Sequence, residues 1–202
     1  MKLYYTPGAC SLSPHIVVRE SGAACDLIKV DLKAHKTEAG DDFYAVNPKG
    51  YIPTLRLDDG STLTEGAAIV QYLADHAPQS GLVPKAGTRE RYQAIEWLNF
   101  IATELHKQFS PLFNPNFAEE VKAVFRTKIT GRFAWINGIL ATQDYLMGSS
   151  FTVVDAYLFN MLQWAKRVNI DLSPWPNLAA YQARIAARPK VQEALKAEGL
   201  LG

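Results

Sequence analysis

The pattern of apolar and polar positions changes its period several times within roughly the first eighty residues of the chain. Short β-prone runs predict strands over 2–6, 26–31, 54–57 and 62–63. Helical spacing predicts helices over 11–21 and from 65 to about 77, with a short helical turn over 41–46. The predicted order of this part is therefore βαβαββα.

Local signals set the ends of these elements. Gly22 can end the first helix, because glycine readily adopts the left-handed conformation that closes many helices. Thr64 offers a side-chain cap for the helix that follows it, and Pro78 blocks that helix from continuing. Asp59-Gly60 is a strong hairpin signal, since tight hairpin turns need the positive φ that glycine supplies. The last two strands should therefore be antiparallel.

From Thr88 onward the apolar positions follow a helical period. The predicted helices cover 88–112, 117–142, 152–168, 177–187 and a short terminal stretch. Thr152 and Asp155 form a capping-box pattern, which we interpret as structural. The stretch 78–87 contains two prolines and two glycines without apolar periodicity, which is typical of a linker. The sequence thus predicts an α/β domain over 1–80, a linker over 81–87 and an all-helical domain over 88–202.

Composition narrows the classes of protein that this chain can be. Of its 202 residues, 48% are hydrophobic and 20% are charged, proportions that are typical of a globular protein. A net charge of +1 gives no bulk field that would attract nucleic acid or an anionic membrane. No apolar run approaches the roughly 18 residues of a spanning helix, and no signal-peptide pattern opens the chain, so we expect the cytoplasm. Its two cysteines lack metal-ligand spacing, so no metal is expected.

Cys10 is the strongest candidate for a reactive group. It stands just ahead of a predicted helix, where unpaired backbone N–H groups and the helix dipole favour the thiolate. A thiol with a pKa near 8.5 is about 3% ionised at pH 7, and one lowered to about 6.5 is about 75% ionised. The alternative is a buried structural cysteine, which is how we interpret Cys25. Because Ser13 occupies the place of a resolving cysteine, Cys10 is a monothiol, which points to a small soluble thiol as its partner.

Two further clusters suggest a peptide ligand. Pro53 precedes a strand and has no N–H to donate, which frees the backbone of Ile52 to pair with an extended peptide; a simple turn proline is the alternative. Glu65 and Gly66 open the next helix. The side-chain carboxylate of Glu65 can bind the ammonium group of a ligand, and the backbone N–H groups at the helix start can bind a ligand carboxylate. A γ-glutamyl group carries both charges, although Glu65 could also be an ordinary acidic residue of a first helical turn.

The long helix of the second domain carries a polar stripe. Asn99, Thr103 and His106 stand at i, i+4 and i+7, and so on one face. The opposite face is apolar, with Ala94, Leu98, Ile101 and Leu105. Three neutral polar groups without a charge pattern suggest a lined cleft, so His106 is a candidate functional residue, with an ordinary solvated histidine as the alternative.

Four segments together resemble the bacterial beta-class glutathione transferases. They are YTPGACSLSPHI, NPKGYIPTLRLDDGSTLTEGAAIVQYLADH, EWLNFIATELHKQFSPLF and FTVVDAYLF. The likeness runs over the whole of residues 1–202. It implies a thioredoxin-like N-terminal domain, an all-helical C-terminal domain, and a homodimer whose first domain binds most of glutathione.

The resemblance also implies roles for single residues. Cys10 would lie beside the glutathione sulfur and could form a mixed disulfide with it, with His106 as the second catalytic residue. Lys107 and His106 would line the thiol side and the electrophile pocket. The positions implied at the glutathione site are Cys10, His35, Ile52, Pro53, Glu65, Gly66, Asn99, Thr103, Glu104, His106 and Lys107.

Two positions depart from the family pattern. His35 stands where lysine is common, so its contact to the glycyl carboxylate should be weaker and dependent on pH, because imidazole charges near pH 6.5. Gly66 stands where serine is frequent, which removes a hydroxyl contact but keeps the backbone N–H. We therefore expect weaker binding of glutathione rather than none.

The expected function is conjugation of the glutathione thiolate to small hydrophobic electrophiles, as in detoxification. One alternative is glutathione-dependent reduction of disulfides or peroxides through a Cys10 mixed disulfide. A non-catalytic protein that binds hydrophobic ligands is another. Tyr5 and Ser11 are rival activators of the thiol, and Phe109, Phe113 and Phe117 indicate only that the electrophile pocket is apolar and aromatic.

Overall fold

A computed structural model describes residues 1–201 of the chain. They form two compact units, Met1–Val83 with residues 188–201, and Pro84–Ala187. The helices are α1 (Leu12–Ser21), α2 (Gly66–Asp75), α3 (Arg89–Phe100), α4 (Lys107–Phe113), α5 (Glu119–Ile139), α6 (Val153–Arg167), α7 (Pro176–Ala186) and α8 (Pro189–Ala197). The strands are β1 (Lys2–Tyr5), β2 (Asp26–Asp31), β3 (Lys36–Thr37), β4 (Thr54–Arg56) and β5 (Thr62–Thr64).

The first unit is built on a five-stranded mixed sheet in the order β3-β2-β1-β4-β5. The central strand β1 is parallel to β2 and antiparallel to β4, which places Leu3 between Leu27 and Leu55. The strands β4 and β5 are antiparallel, which confirms the hairpin that Asp59-Gly60 predicts. Leu3 and Leu55 are fully buried. This sheet and the helices α1 and α2 give the thioredoxin-like arrangement expected of the first domain.

Three local predictions in this unit need correction. The strand β3 is absent from the predicted order, because two residues are too few to give a period. The predicted helical turn over 41–46 is a single 3₁₀ turn, Phe43–Ala45, which begins after the side-chain cap Asp42. Thr64 does not cap α2, because it pairs with Thr54 in the sheet; the residue before α2 is Glu65, which makes no side-chain cap bond. The end of α1 at a left-handed Gly22 is confirmed.

The C-terminal helix α8 belongs to the first unit, although the sequence placed it in the helical domain 88–202. Val191 and Leu195 of α8 are buried, and the helix packs on α1. At its start the Arg188 guanidinium donates to both carboxylate oxygens of Glu20 on α1, at 2.7 and 2.8 Å. The reason for the difference is packing: an amphipathic pattern shows that a helix has an apolar face, but not which element covers it.

The second unit is helical, as predicted. Its first long helix is interrupted by a π-helical segment, Ile101–His106, between α3 and α4. Helix α6 is buried on almost all sides and forms the centre of the unit. The predicted capping box is confirmed, since Thr152 Oγ1 accepts from the N–H of Val154 and the Asp155 carboxylate accepts from the N–H of Thr152. Over residues 1–201, no helix has the length and apolarity needed to cross a bilayer.

Candidate active site

Cys10 lies at the end of a tight turn that leads into α1. The N–H of Ala9 donates to the carbonyl of Thr6, and the N–H of Leu12 donates to the carbonyl of Ala9, each at 3.1 Å. Gly8 has a φ of +69°, a conformation that glycine adopts without steric cost. The half-buried Cys10 packs on a small apolar cluster with Tyr4, Val30, Phe43 and Ile52. Its Sγ donates to the carbonyl oxygen of Ile52 at 3.3 Å. Two residues that are 42 apart in sequence therefore meet at the thiol.

Ser11 closes the same turn. Its hydroxyl accepts from the Thr6 N–H at 3.1 Å and donates to the Thr6 carbonyl at 3.2 Å, and the residue is fully buried. A hydroxyl that is buried and bonded on both sides holds the backbone rather than a ligand thiol. The rival Tyr5 is disfavoured as a base, because burial, with the charges of Glu198 and Glu38 adding to it, raises the pKa of its phenol.

The segment around Pro53 is fixed by its neighbours. The Ile52-Pro53 peptide bond is cis. The side chain of Asn47 donates to the carbonyl of Tyr51 at 2.8 Å and to the hydroxyl of Thr54 at 3.0 Å. Asn47 is itself buried, so these bonds brace the segment on both sides of Pro53. The arrangement places Ile52 in the apolar cluster on which Cys10 packs.

Glu65 adopts an unusual backbone conformation. Its φ is +70° and its ψ is 115°, although it is not a glycine. Such conformations cost on the order of 1–3 kcal/mol and concentrate at functional sites. The Glu65 side chain is exposed, and its Oε1 lies 3.5 Å from Nζ of Lys49. Next to it, a Cβ added to Gly66 would meet only Cγ of Pro53, at an ordinary 3.7 Å. Gly66 thus lies beside Pro53, in a place with room for a serine.

His35 also has a positive φ, of 51°. Its ring stacks on Tyr44, with the ring centres 4.4 Å apart. Its Nδ1 is buried and has no hydrogen-bond partner in the described part of the chain. Gly50 leaves room for this stack, since an added Cβ would lie 2.7 Å from Cε1 of Tyr44 and 3.2 Å from the His35 ring. A buried nitrogen without a partner is uncommon and suggests a ligand group.

In the second unit the predicted polar stripe divides into two parts. Asn99 and Thr103 are exposed, and their side chains donate to the carbonyls of Ile95 and Asn99 within their own helix, at 2.9 and 3.0 Å. Glu104 accepts from the guanidinium of Arg132 at 2.6 Å. Lys107 is exposed.

His106 points elsewhere, so the prediction of a single face is wrong for it. It is half-buried, its Nδ1 lies 2.7 Å from the hydroxyl of Tyr157, and its ring meets the edge of Trp164, both on α6. The π-helical segment explains the difference, because a π turn holds more residues than an α turn and shifts the later side chains around the axis. Phe109 is a fully buried core residue, whereas Phe113 and Phe117 are each a little under half exposed.

Two residues at the Cys10 turn escaped the sequence analysis. Glu198, at the end of α8, accepts from the N–H of Gly8 at 2.8 Å and bonds His15 of α1 at 2.8 Å. Both His15 and Glu198 are buried. The distance of 190 residues between Gly8 and Glu198 left no local signal. Within residues 1–201, no group of three or more His, Cys, Asp or Glu side chains is arranged to hold a metal ion.

Comparison with known proteins identifies the class. The model of the glutathione S-transferase N-terminal domain matches residues 8–76, and that of the C-terminal domain matches residues 100–189. The glutathione S-transferase GstA of Escherichia coli O157:H7 is 50% identical over 200 residues, which cover 99% of this chain and 100% of that protein. The chain therefore belongs to the glutathione S-transferase family.

Solved structures place it more narrowly. The ternary complex of BphK, a bacterial glutathione S-transferase, is 55% identical with a TM-score of 0.97, and covers 99% of this chain and 100% of its own. The bacterial beta-class enzyme of Sphingomonas chungbukensis is 51% identical with a TM-score of 0.96, over all of both chains. A sphingomonad glutathione S-transferase complexed with glutathione is 49% identical with the same TM-score, over 99% of this chain and all of its own. These relatives confirm the beta-class resemblance.

Proposed function

We propose that this enzyme conjugates glutathione to small hydrophobic electrophiles. The observation that carries the proposal is the contact between the Cys10 thiol and the carbonyl of Ile52, in a chain of this family. In the reaction, the glutathione thiolate attacks an electrophilic carbon and forms a thioether. The electron pair of the broken bond leaves with the leaving group, or takes up a proton where the reaction is an addition.

The first unit offers matching groups for each part of glutathione. The Glu65 carboxylate suits the γ-glutamyl ammonium group, and the N–H groups at the start of α2, from Gly66, suit its carboxylate. The backbone of Ile52, next to Pro53, pairs with the cysteinyl residue. The buried Nδ1 of His35 is the candidate partner of the glycyl carboxylate. Cys10 then lies beside the glutathione sulfur, at the start of α1.

In the second unit, His106 is the proposed catalytic partner. Its bond to Tyr157 orients the ring. Trp164 and Phe113 meet edge to face, with ring centres 5.3 Å apart, and Phe113 is 45% exposed, which suits an apolar aromatic substrate. We assign Asn99, Thr103, Glu104 and Lys107 to the glutathione site only as part of this proposal. A cytoplasmic homodimer is the proposed form of the enzyme.

A second candidate function follows from the monothiol at Cys10. A peroxide would oxidise the Cys10 thiolate to a sulfenic acid and leave as an alcohol or water. One glutathione would then form the mixed disulfide with loss of water, and a second would release glutathione disulfide and restore the thiol. The partly accessible position of Cys10 at the start of α1 favours this chemistry.

The test is product formation from glutathione with a panel of haloaromatic compounds, epoxides, unsaturated carbonyl compounds and peroxides. We expect conjugation by the wild type, a clear loss in Cys10→Ala, and no loss in Cys25→Ala. Full conjugation by Cys10→Ala together with none by a folded Ser11→Ala would overturn the role of Cys10. No turnover of any compound would favour the non-catalytic alternative. Peroxide turnover without conjugation would favour the reductase.

A further inference from the structure

Glu198 is a buried carboxylate that the proposed chemistry does not use. It follows α8 and is only 5% exposed, and each of its two oxygens has a different partner. Oε2 accepts from the N–H of Gly8, and Oε1 lies 2.8 Å from Nδ1 of His15. A carboxylate removed from water is costly unless such bonds replace its hydration. Glu198 is therefore tied to the structure at two defined points.

The orientation of His15 follows from its other neighbour. The Nε of Arg19 donates to Nε2 of His15 at 3.3 Å, so Nε2 is the acceptor of the ring. The proton then lies on Nδ1, which donates to Glu198. Arg19 and His15 stand one turn apart on α1, and the ring of His15 is fully buried. A single orientation of the imidazole thus connects α1 to the carboxylate.

The other partner of Glu198 lies in the loop, not in the helix. Gly8 is two residues from Cys10 and at the middle of the turn that Ala9 and Ser11 close by bonds to Thr6. The N–H of Gly8 donates to Glu198 and so joins this turn to the end of α8. It fixes the turn from outside, in addition to the bonds within it.

We propose that Glu198 is a positioning residue, which holds the Cys10 turn through Gly8 and the start of α1 through His15. In this way it keeps the Cys10 thiol at the carbonyl of Ile52. The consequence for glutathione rests on the proposed function, in which Cys10 and Ile52 flank the cysteinyl part of glutathione.

A purely structural role in attaching α8 does not account for this arrangement. The opposite end of α8 is already bonded to α1 by the two hydrogen bonds from Arg188 to Glu20. Glu20 lies near the end of α1, and its two carboxylate oxygens accept from Arg188. The pair Arg188 and Glu20 thus provides a control, since its loss weakens the attachment of α8 but leaves Glu198 in place.

The experiment compares Glu198→Gln with two controls on the full chain. Glu20→Gln weakens the other end of α8, and Glu193→Gln removes an exposed pair with Lys190 on the same helix. For each protein we would measure the melting temperature, kcat and KM with glutathione, and the alkylation rates of Cys10 and Cys25 by iodoacetamide, resolved by mass spectrometry of their peptides. Cys25 is the internal reference for unfolding.

We expect Glu198→Gln to raise the KM for glutathione roughly tenfold, because one charge-assisted hydrogen bond contributes about that factor. Alkylation of Cys10 should become faster by a similar factor, because a released turn frees the thiol from the Ile52 carbonyl, to which only the neutral thiol donates. Alkylation of Cys25 should stay unchanged. Glu20→Gln should lower the melting temperature but change neither quantity more than about twofold. Cys10 alkylation that is unchanged or slower in Glu198→Gln, or equally accelerated in Glu20→Gln, would overturn the proposal.

Two provisions keep the test decisive. If Glu198→Gln does not fold, His15→Gln removes the ring that bonds the same carboxylate and should accelerate Cys10 alkylation in the same way. A normal rate in a folded His15→Gln would count against the proposal. The alkylation assay needs no glutathione, so it still tests the position of Cys10 if the proposed conjugation fails. Conversely, normal conjugation with unaltered alkylation in Glu198→Gln would reject only the role of Glu198.

Discussion

The Nδ1 of His106 lies 2.7 Å from the hydroxyl of Tyr157, across the 51 residues that separate the π-helical segment from α6. The hydroxyl fixes the ring of a proposed catalytic residue. The edge of Trp164 bounds the same ring, at 5.1 Å between ring centres. The histidine is therefore oriented by its contacts with α6.

The first prediction follows from this contact. Tyr157→Phe keeps the packing of the ring and removes the hydroxyl. We expect kcat to fall roughly three- to tenfold with an unchanged KM for glutathione, since a lost hydrogen bond costs about 0.5–1.5 kcal/mol. Steady-state kinetics measure it. Tyr92→Phe, at an exposed tyrosine, is the control, and an equal effect of both changes would contradict the prediction.

The second prediction concerns Glu65, whose backbone φ is +70°. Glu65→Gln keeps the backbone but removes the charge proposed to face the γ-glutamyl ammonium, so the KM for glutathione should rise at least about tenfold. Glu65→Gly should raise the KM as much, but should unfold at a denaturant concentration equal to or above that of Glu65→Gln, because glycine relieves the strained conformation. Lower stability of the glycine variant would argue that the conformation is not strained.

The third prediction uses Gly50 and Gly60, which share a positive φ but not their surroundings. An added Cβ at Gly50 would lie 2.7 Å from the ring of Tyr44, whereas nothing lies within 4 Å at Gly60. Gly50→Ala should therefore displace the stack of Tyr44 and His35 and lower the free energy of unfolding by about 1–3 kcal/mol more than Gly60→Ala does. It should also raise the KM for glutathione. Urea unfolding and kinetics of both variants check this, and equal losses of stability would refute the proposed contact.

The fourth prediction concerns alkaline pH. Burial, together with the nearby Asp155 carboxylate, raises the pKa of Tyr181 well above its usual value of 10.0. Because the folded-state pKa is the higher one, the stability that this phenol contributes is complete below about pH 10 and is lost as the pH rises through the raised pKa. Tyr181→Phe removes the hydrogen bond to Asp155, of 2.8 Å, and should lower the free energy of unfolding by about 1.5–3 kcal/mol near neutral pH.

That difference between the wild type and Tyr181→Phe should shrink above about pH 10. Urea unfolding at several pH values measures it. Ultraviolet titration of the nine tyrosines should show a late ionisation that is missing in Tyr181→Phe, in addition to that of Tyr5, whose pKa is also raised. A difference that stays constant up to the alkaline limit would contradict the assignment.

The parts of the site that the sequence predicted are those that depend on neighbours along the chain. Cys10 ahead of α1 and the Asp59-Gly60 hairpin follow from residues within a few positions of each other. The prediction that Asn99, Thr103 and His106 share one face assumed an ideal α-helical period. It was wrong because the helix contains a π-helical segment, and no local pattern in the sequence marks the position of that segment. Glu198 could not be found from the sequence at all, since an acidic residue after an amphipathic helix is ordinarily exposed.

The sequence by itself determined the order of the elements apart from β3, the family and the place of the thiol before a helix, because local propensity, turn residues and matched motifs carry that information. Only the tertiary structure decided that α8 packs with the first unit, that Glu198 bonds Gly8, and that His106 turns towards Tyr157. These contacts join residues 51 to 190 positions apart. Which of these contacts form depends on which surfaces pack together and on which buried polar groups need hydrogen-bond partners. Neither can be deduced from a single segment of the sequence.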